Sequence, residues 1–297
     1  MGLAHSSAYN VDWSVNKLKV WVGSARLKDF SGQTLVRIKS SANTEGLAPV
    51  TARKIMRLFK AAITDAMADN LVPPNTFAAL KTKKGKIKTP EVKPRPQLRS
   101  IGETMLLSDK LRKTHPDLAD MLVLAAYTGM RFGEISGLQW ESVSFKMNKI
   151  TVERTSVKGP NGYEVRMRTK TKSGHRKIPM AKEVREMFIR RGRQFSGLIF
   201  KTKAGKPIPA PTAANPIKKA ATELGVAHGW HCSRHYWCSL LIERGRPMPK
   251  ISKLMGHSSM RVTQEEYAWA IPDPDDDEMF LSVLNDSSLL GSAYNSV

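Results

Sequence analysis

Apolar residues recur at helical spacing along most of this chain, and the pattern predicts a mainly helical protein. The clearest stretch in the N-terminal part begins at Pro49 and ends near Asp69 and Asn70, just before Pro73 and Pro74. One face of this predicted helix is apolar and consists of Ile55, Met56, Phe59, Ile63 and Met67. The basic residues of the same stretch, which fall largely on its other faces, are Arg53, Lys54, Arg57 and Lys60.

Helical patterning extends from about Val11 to Leu80, which predicts an N-terminal helical domain over residues 1–80. The composition then changes, and residues 81–99 form a basic linker in which three prolines forbid a continuous helix. The lysines at the start of this linker are Lys81, Lys83, Lys84, Lys86 and Lys88. The linker is either a solvated connection or a basic strap across a polyanion, and we favour the strap.

A second domain is predicted over residues 100–272. It contains a strongly apolar helix from Asp117 to Tyr127, which ends at a glycine able to form a left-handed turn, and Arg131 begins the next helix. Residues 149–155 and 163–180 alternate and are rich in β-branched side chains, which predicts a small antiparallel sheet. Further helices are predicted at about 181–193, 211–225, 233–244, 247–255 and 259–268.

The chain ends in an acidic tail, residues 273–297, that includes a short amphipathic helix predicted at Asp277–Leu284. Taken together, the elements predict a mainly α protein with a small antiparallel β-sheet, an α+β fold class.

The net charge indicates a polyanionic partner. It is +22 at pH 7, and the isoelectric point is about 10.1. Such a chain gains free energy by neutralising phosphates and releasing their counterions. The first hundred residues hold 18 basic against six acidic side chains, whereas residues 268–297 hold six acids and no base. A basic body with an acidic tail suits nucleic-acid binding by the body.

The sequence gives no sign of membrane insertion or secretion. Its longest apolar run, Met121–Tyr127, is far shorter than the roughly 20 residues that span a bilayer. The N-terminus lacks the basic start and apolar stretch of a secretory signal, so we expect a cytoplasmic protein. Cys232 and Cys238 are expected to be packed apolar residues rather than disulfide partners.

Four short stretches carry side chains suited to phosphoryl transfer. They are Thr128-Gly129-Met130-Arg131-Phe132-Gly133-Glu134, His231-Cys232-Ser233-Arg234, Leu254-Met255-Gly256-His257 and Thr263-Gln264-Glu265-Glu266-Tyr267. A guanidinium can bond two phosphate oxygens and keeps its charge at any working pH. An imidazole can move a proton near neutral pH, and a phenol can attack phosphorus. This set predicts phosphoryl transfer that needs neither a metal nor another cofactor.

Spacing brings some of these side chains onto common faces. Glu134 follows Arg131 by three residues, so the two share one face of a helix. His231 and Arg234 have the same spacing near a helix start, where both can point at one ligand beside the positive end of the helix.

In their order and local context, these stretches resemble the tyrosine recombinase (phage integrase) family. The family motifs are T-G-x-R-x-x-E, H-x-x-R, L-L-G-H-S-S and T-x-x-x-Y, and the resemblance is strong over residues 100–285 and looser before them. It implies an N-terminal helical core-binding domain that grips DNA opposite a tyrosine-recombinase catalytic domain.

The resemblance also implies roles for individual residues. Tyr267 would be the nucleophile, and Arg131 and Arg234 would clamp the phosphate. His231 would handle protons, and His257 would bond a phosphate oxygen or help to hold the tyrosine. Two residues would support the site from behind: Glu134 packed against the first arginine, and His235.

The family's general acid is a lysine on a β-hairpin. Here the turn Ser173-Gly174 precedes a strand that ends at Pro179, and Lys172 is favoured over Lys170 for this role. The residues expected to bind DNA are Lys81, Lys83, Lys84, Lys86, Lys88, Arg53 and Arg57.

As a member of this family, the chain would break and rejoin double-stranded DNA at core sites through a 3′-phosphotyrosine intermediate. We expect it to integrate phage DNA into a host chromosome as a homo-tetramer on DNA, and to be a monomer or weak oligomer when free. A host DNA-bending protein and a directionality factor are further partners that the family uses, and the acidic tail would dock on a neighbouring subunit.

Other readings stay open at this point. A Xer-like or transposon recombinase and a type IB topoisomerase use the same chemistry, and a catalytically silent DNA-binding regulator would keep the charge without the reaction. Only about ten residues precede the first predicted helix, so we expect the arm-binding domain found in many integrases to be absent.

Overall fold

A computed structural model of the protein describes residues 5–72, 100–167, 175–227, 229–257 and 259–267. The described chain is mainly helical with small β-sheets, which confirms the predicted fold class. It divides into two compact units, one formed largely by residues before 96 and the other by the residues that follow. The predicted basic linker and the acidic tail lie outside the described residues.

Over residues 5–72, the described part of the N-terminal unit, the α-helices are α1 (His5–Val22), α2 (Gly32–Thr44) and α3 (Pro49–Ala68). The predicted apolar face of α3 is confirmed, because it supplies much of the core of this unit. The core residues are Trp21, Val22, Leu35, Ile38, Ala42, Ala52, Ile55, Phe59 and Ile63. The predicted start near Val11 was wrong, since the first helix begins six residues earlier. The end of α3 agrees with the sequence: beyond it, Asn70 adopts a left-handed conformation with φ of 58°.

The second unit is built around a buried helix. Helices α4 (Ile101–Arg112), α5 (Pro116–Thr128) and α6 (Phe132–Ser136) follow one another, and α5 is apolar on nearly every side. A helix that is apolar all round is stable only inside a protein, and α5 accordingly lies in the core with α4 and the later helices. The left-handed Gly129 ends it, as predicted.

The β-structure differs from the single small sheet that the sequence predicted. Strands β1 (Val143–Ser144), β2 (Lys149–Val152) and β5 (Arg176–Pro179) form an antiparallel sheet in the order β1-β2-β5. Strands β3 (Arg154–Gly159) and β4 (Gly162–Met167) form a separate two-stranded sheet. The predicted antiparallel pairing is present, and each alternating stretch contributes one strand to each of the two sheets.

Five further helices were expected before the tail, and the structure has them with shifted ends. They are α7 (Lys182–Arg190), α8 (Ala210–Leu224), α9 (Trp230–Glu243), α10 (Met248–Met255) and α11 (Met260–Tyr267). The largest shifts are of three residues, at the end of α7 and at the start of α9, and the second places His231 in the first turn of α9. Among the described residues, no helix is long and apolar enough to cross a membrane.

A cluster of charged side chains fixes the N-terminal end of α5. Asp120 is buried and accepts hydrogen bonds from Arg112, Arg190 and Arg191, each at 2.9 Å. Burial alone would raise the pKa of Asp120, but the three guanidinium groups outweigh it and lower the pKa. Arg191 also donates to Asp117 at 2.6 Å and to the carbonyl of Ile199 at 3.0 Å. This end of the helix is thereby joined to the end of α7.

Candidate active site

Three arginines from different elements meet at the C-terminal end of α10. Arg176 Nε donates to the carbonyl of Leu254 at 2.6 Å, and Arg234 Nη2 donates to that of Met255 at 2.6 Å. Arg131 donates through Nη1 to Met255 at 3.4 Å and through Nη2 to Gly256 at 3.1 Å. The last carbonyls of a helix have no partners within it and carry partial negative charge, so they attract cations. The helix end therefore gathers guanidinium groups from three parts of the chain.

Arg131 lies at the start of α6, where Glu134 holds it at two points. The Glu134 carboxylate accepts the backbone N–H of Arg131 at 2.9 Å and its Nη1 at 3.1 Å. About a third of the Arg131 side chain stays exposed, at 33%. The predicted pairing of these two residues is present, and it leaves Arg131 able to meet a ligand.

The carboxylate of Glu134 is buried and is shared by two arginines. Arg176 donates to it through Nη1 at 3.1 Å and through Nη2 at 2.7 Å, in addition to the bonds from Arg131. Burial alone would raise the pKa of Glu134, but hydrogen bonds and charge from Arg176, followed by those of Arg131, lower the pKa to about 2. Glu134 is therefore ionised throughout the neutral range.

Arg234 lies in the first turns of α9 and is only 4% exposed. Its Nη1 donates to the carbonyl of Gly129 at 2.6 Å, and its Nη2 reaches the end of α10. Burial, followed by the nearby charge of Arg131, lowers the pKa of Arg234 to about 10. It stays positively charged at neutral pH and joins the end of α5 to the end of α10.

His257 and Tyr267 are both buried close to this helix end. The ring Nδ1 of His257 lies 2.7 Å from the hydroxyl of Thr263 on α11, the helix that ends at Tyr267. The Tyr267 side chain is 1% exposed and packs in a cluster with Cys238, Ile242, Ile251 and Met255. The histidine is thus connected to the helix that carries the tyrosine.

The two histidines of α9 have different environments. His231 is exposed in the first turn, whereas His235 is half-buried one turn later. The centroid of the His235 ring lies 5.3 Å from that of Tyr267 and 6.4 Å from that of His231. His235 therefore lies next to Tyr267. The supporting role inferred for it from the sequence remains a prediction.

Lys170 and Lys172, the two candidates for the general acid, lie outside the described residues, as do the five linker lysines. Arg53 and Arg57 are described, and both are exposed on α3.

Arg176 is the member of this cluster that the sequence analysis did not single out. A signal for it existed, because β5 alternates between buried and exposed positions and Arg176 shares the buried face with Ile178. An arginine at a core-facing strand position requires a buried counter-charge, and Glu134 supplies it.

Gly129 is restricted both by its backbone conformation and by a close side chain, so replacing it should destabilise the fold. Its φ is +61°, and an added Cβ would lie 2.7 Å from Cε3 of Trp237. Gly225 ends α8 with a similar φ of +64°, but an added Cβ there would meet nothing within 4 Å. We expect Gly225→Ala to cost about 1 kcal/mol of unfolding free energy and Gly129→Ala about 2 kcal/mol, because only the second combines backbone strain with a clash.

Urea denaturation of both variants measures this difference. Equal losses in the two variants would mean that the Trp237 ring moves aside without cost.

Comparison with known proteins identifies the family. The sequence matches the phage integrase family over residues 103–270, more than half of the chain. This chain is a phage integrase family member, a tyrosine recombinase. A XerC-like tyrosine recombinase of Caldanaerobacter subterraneus subsp. tengcongensis is 29% identical over 209 residues, which cover 62% of this chain and 54% of that protein. The chain thus spans about half the length of this curated relative.

Solved structures share the fold at low sequence identity. The Tn1549 transposon integrase in complex with a circular intermediate DNA has a TM-score of 0.80 and 21% identity, over 95% of this chain and 94% of that chain. A lambda integrase tetramer bound to a Holliday junction has a TM-score of 0.64 and 18% identity, over 87% and 73% of the two chains. These matches confirm the tyrosine recombinase fold.

Proposed function

We propose that the chain is a site-specific DNA recombinase that cleaves and rejoins DNA through a 3′-phosphotyrosine at Tyr267. The observation that carries the proposal is the convergence of Arg131, Arg234 and His257 at the end of α10, beside the helix that ends at Tyr267. Two guanidinium groups and an imidazole supply the positive charge and hydrogen bonds that a pentacoordinate phosphorus needs.

The reaction proceeds in two transfers. The Tyr267 hydroxyl loses its proton and attacks the scissile phosphorus, the bond to the 5′ oxygen breaks, and a lysine protonates that oxygen. We favour Lys172 over Lys170 as this acid. In the second transfer, the 5′-hydroxyl of a partner strand attacks the phosphotyrosine and restores the tyrosine. Because the covalent link conserves the phosphodiester bond energy, the reaction consumes no nucleotide.

Burial of the nucleophile sets a requirement on this mechanism. Tyr267 is 1% exposed and Arg234 is 4% exposed, so a DNA phosphate cannot contact either side chain in this arrangement. We infer that DNA binding moves α11 relative to α10 and exposes both. The hydrogen bond between His257, just after α10, and Thr263 on α11 joins these two parts of the chain. The movement either breaks this bond or carries His257 along with α11.

The test is to look for a covalent complex on a nicked core site. The core site is found by sequencing the DNA that flanks the gene and searching for repeated half-sites. A complex that survives denaturing gel electrophoresis and forms equally well in EDTA supports the proposal. A silent regulator would bind the same DNA without forming the complex, and a metal-dependent nuclease would be inactive in EDTA.

We propose that the residues before the linker form a core-type DNA-binding domain, that residues 81–99 connect it to a catalytic domain over 100–272, and that an acidic tail follows. Exposure of Arg53 and Arg57 on one helix supports a phosphate-binding role for that helix. Replacing both by glutamine is expected to reduce the slope of log K against log salt concentration by about 2, since each contact releases about one counterion. Fluorescence anisotropy at several salt concentrations measures the slope, and an unchanged slope would exclude these contacts.

We further propose that the biological reaction is integration of phage DNA by a tetramer bound to two core sites. The likeness to a lambda integrase whose tetramer binds a Holliday junction supports this proposal. Joining of two separate DNA molecules in vitro, with a host DNA-bending protein added, would support integration. Resolution of two sites within one DNA molecule would favour a Xer-like role. Excision of a DNA segment as a circle would favour a transposon role. Relaxation of supercoiled DNA without a paired site would favour a type IB topoisomerase.

A further inference from the structure

We propose that Arg176 is a positioning residue that neutralises Glu134 and so keeps the charge of Arg131 available to the scissile phosphate. The proposal rests on the proposed recombinase function, because it assigns the phosphate to Arg131. It starts from the position of Arg176, which is 3% exposed and whose guanidinium is bonded on all three nitrogens, two of them to a carboxylate that competes with any phosphate.

All three guanidinium nitrogens of Arg176 are engaged by acceptors. Nη1 and Nη2 donate to the two carboxylate oxygens of Glu134, and Nε donates to the carbonyl of Leu254. A two-point arginine–carboxylate pair fixes both orientation and distance. Arg176 therefore connects β5 to α6, at whose start Arg131 lies, and to α10, whose last carbonyls also bind Arg131 and Arg234.

Glu134 divides its bonds between an enclosed arginine and an accessible one. Arg176 is enclosed, whereas Arg131 keeps a third of its side chain exposed, at 33%. Among Arg131, Arg176, Arg234 and Glu134 the three positive charges exceed the negative one by two. A buried charge must be balanced locally, and the enclosed arginine supplies that balance for the carboxylate.

Removal of Arg176 would leave Glu134 facing Arg131 as its nearest counter-charge. The carboxylate would then cancel the charge of Arg131 and draw its guanidinium inward. Because Arg131 would then offer less positive charge, the negative charge on the phosphate would be less well stabilised. This effect needs no contact between Arg176 and DNA.

The chain offers a matched control at the other end of α5. Like Arg176, Arg191 makes two bonds to carboxylates and one to a backbone carbonyl, although its carboxylates belong to two residues, Asp117 and Asp120, and its carbonyl is that of Ile199. Arg176→Gln and Arg191→Gln therefore both remove a partly or fully buried arginine from a carboxylate and a carbonyl. They differ in whether that carboxylate also holds Arg131.

The experiment measures single-turnover cleavage by both variants on a nicked core site at saturating DNA. One substrate carries the normal scissile phosphodiester and the other a methylphosphonate, which lacks the negative charge. On the phosphodiester, we expect R176Q to lose about 100-fold and R191Q less than about threefold. On the methylphosphonate, the R176Q defect should shrink to below about tenfold, because the charge that Arg131 neutralises is absent.

Two outcomes would overturn the proposal: R176Q cleaving within about threefold of wild type, or losing equally on both substrates. If R176Q does not fold, the double variant R176Q/E134Q takes its place, because it removes both members of the buried ion pair together. Its expected loss on the phosphodiester is below about tenfold, and a loss of about 100-fold on both substrates would count against the proposal.

A measurement without DNA separates this inference from the proposed function. The Arg131 Nε–H resonance in the ¹H–¹⁵N NMR spectrum should shift in R176Q and stay in place in R191Q. If wild-type protein forms no covalent complex, the recombinase proposal fails, and this resonance still decides whether Arg176 positions Arg131. An unshifted resonance in R176Q would refute the positioning role.

Discussion

The Tyr267→Phe variant is expected to form no covalent complex on a nicked core site, a loss of at least about 1,000-fold from wild type. The substitution removes the only oxygen that could attack phosphorus from this position and keeps the ring. Since the ring packs against Cys238, Ile242, Ile251 and Met255, the fold of this region should be retained. DNA affinity should therefore stay within about threefold of wild type, because no phosphate contact is lost.

Tyr236→Phe is the matched control for this experiment. Tyr236 lies on α9, is half-buried and has no proposed role in the reaction. The Tyr236→Phe variant should cleave DNA at the wild-type rate. Covalent trapping by the Tyr267→Phe variant would show that another residue is the nucleophile, and an equal defect in both variants would indicate a general effect on folding.

Glu134→Gln is expected to lower the free energy of unfolding by about 3 kcal/mol at pH 7. The pKa of Glu134 falls from an ordinary value of 4.5 to about 2, and a difference of that size corresponds to about 3 kcal/mol. A carboxyl group whose pKa is depressed by folding stabilises the fold above its unfolded pKa. That contribution is complete above about pH 4.5 and disappears as the pH falls toward about 2.

Urea denaturation at a series of pH values between 7 and 2.5 measures this contribution. The free energy of unfolding should differ most between wild type and Glu134→Gln at pH 7, and this difference should become steadily smaller below pH 4.5. Glu164→Gln is the control, because Glu164 is exposed on β4 and pairs with Arg166 on the surface. It should change stability by less than about 0.5 kcal/mol. A difference for Glu134→Gln that is independent of pH would assign its effect to packing.

The parts of the fold that depend on local patterns could be predicted from the sequence. The apolar face of α3 and the end of α5 at Gly129 each depend only on residues close by in the sequence. The structure confirms both predictions. The pairing of the strands could not be predicted in the same way. Alternation within residues 149–155 and 163–180 predicts extended segments, but it contains no information on which strand bonds to which.

The same distinction applies to the candidate site. Arg131 and Glu134 are three residues apart, so their contact follows from helical geometry. Arg176 is 42 residues from Glu134, and only the packing of β5 against the end of α10 brings the two together. The burial of Tyr267 has the same origin, because its position in the chain is no guide to whether α9 and α10 cover its ring.

The anchoring of three arginines on the carbonyls of Leu254, Met255 and Gly256 has a consequence for how the protein can diverge. Every residue type offers a backbone carbonyl, so point substitutions at the exposed positions of α10 leave the acceptors in place. An insertion or deletion within α10 would instead rotate the carbonyls away from all three guanidinium groups at once. The surface of this helix is therefore free to vary in sequence while its length is constrained, and directed evolution of this region should use substitutions at fixed length.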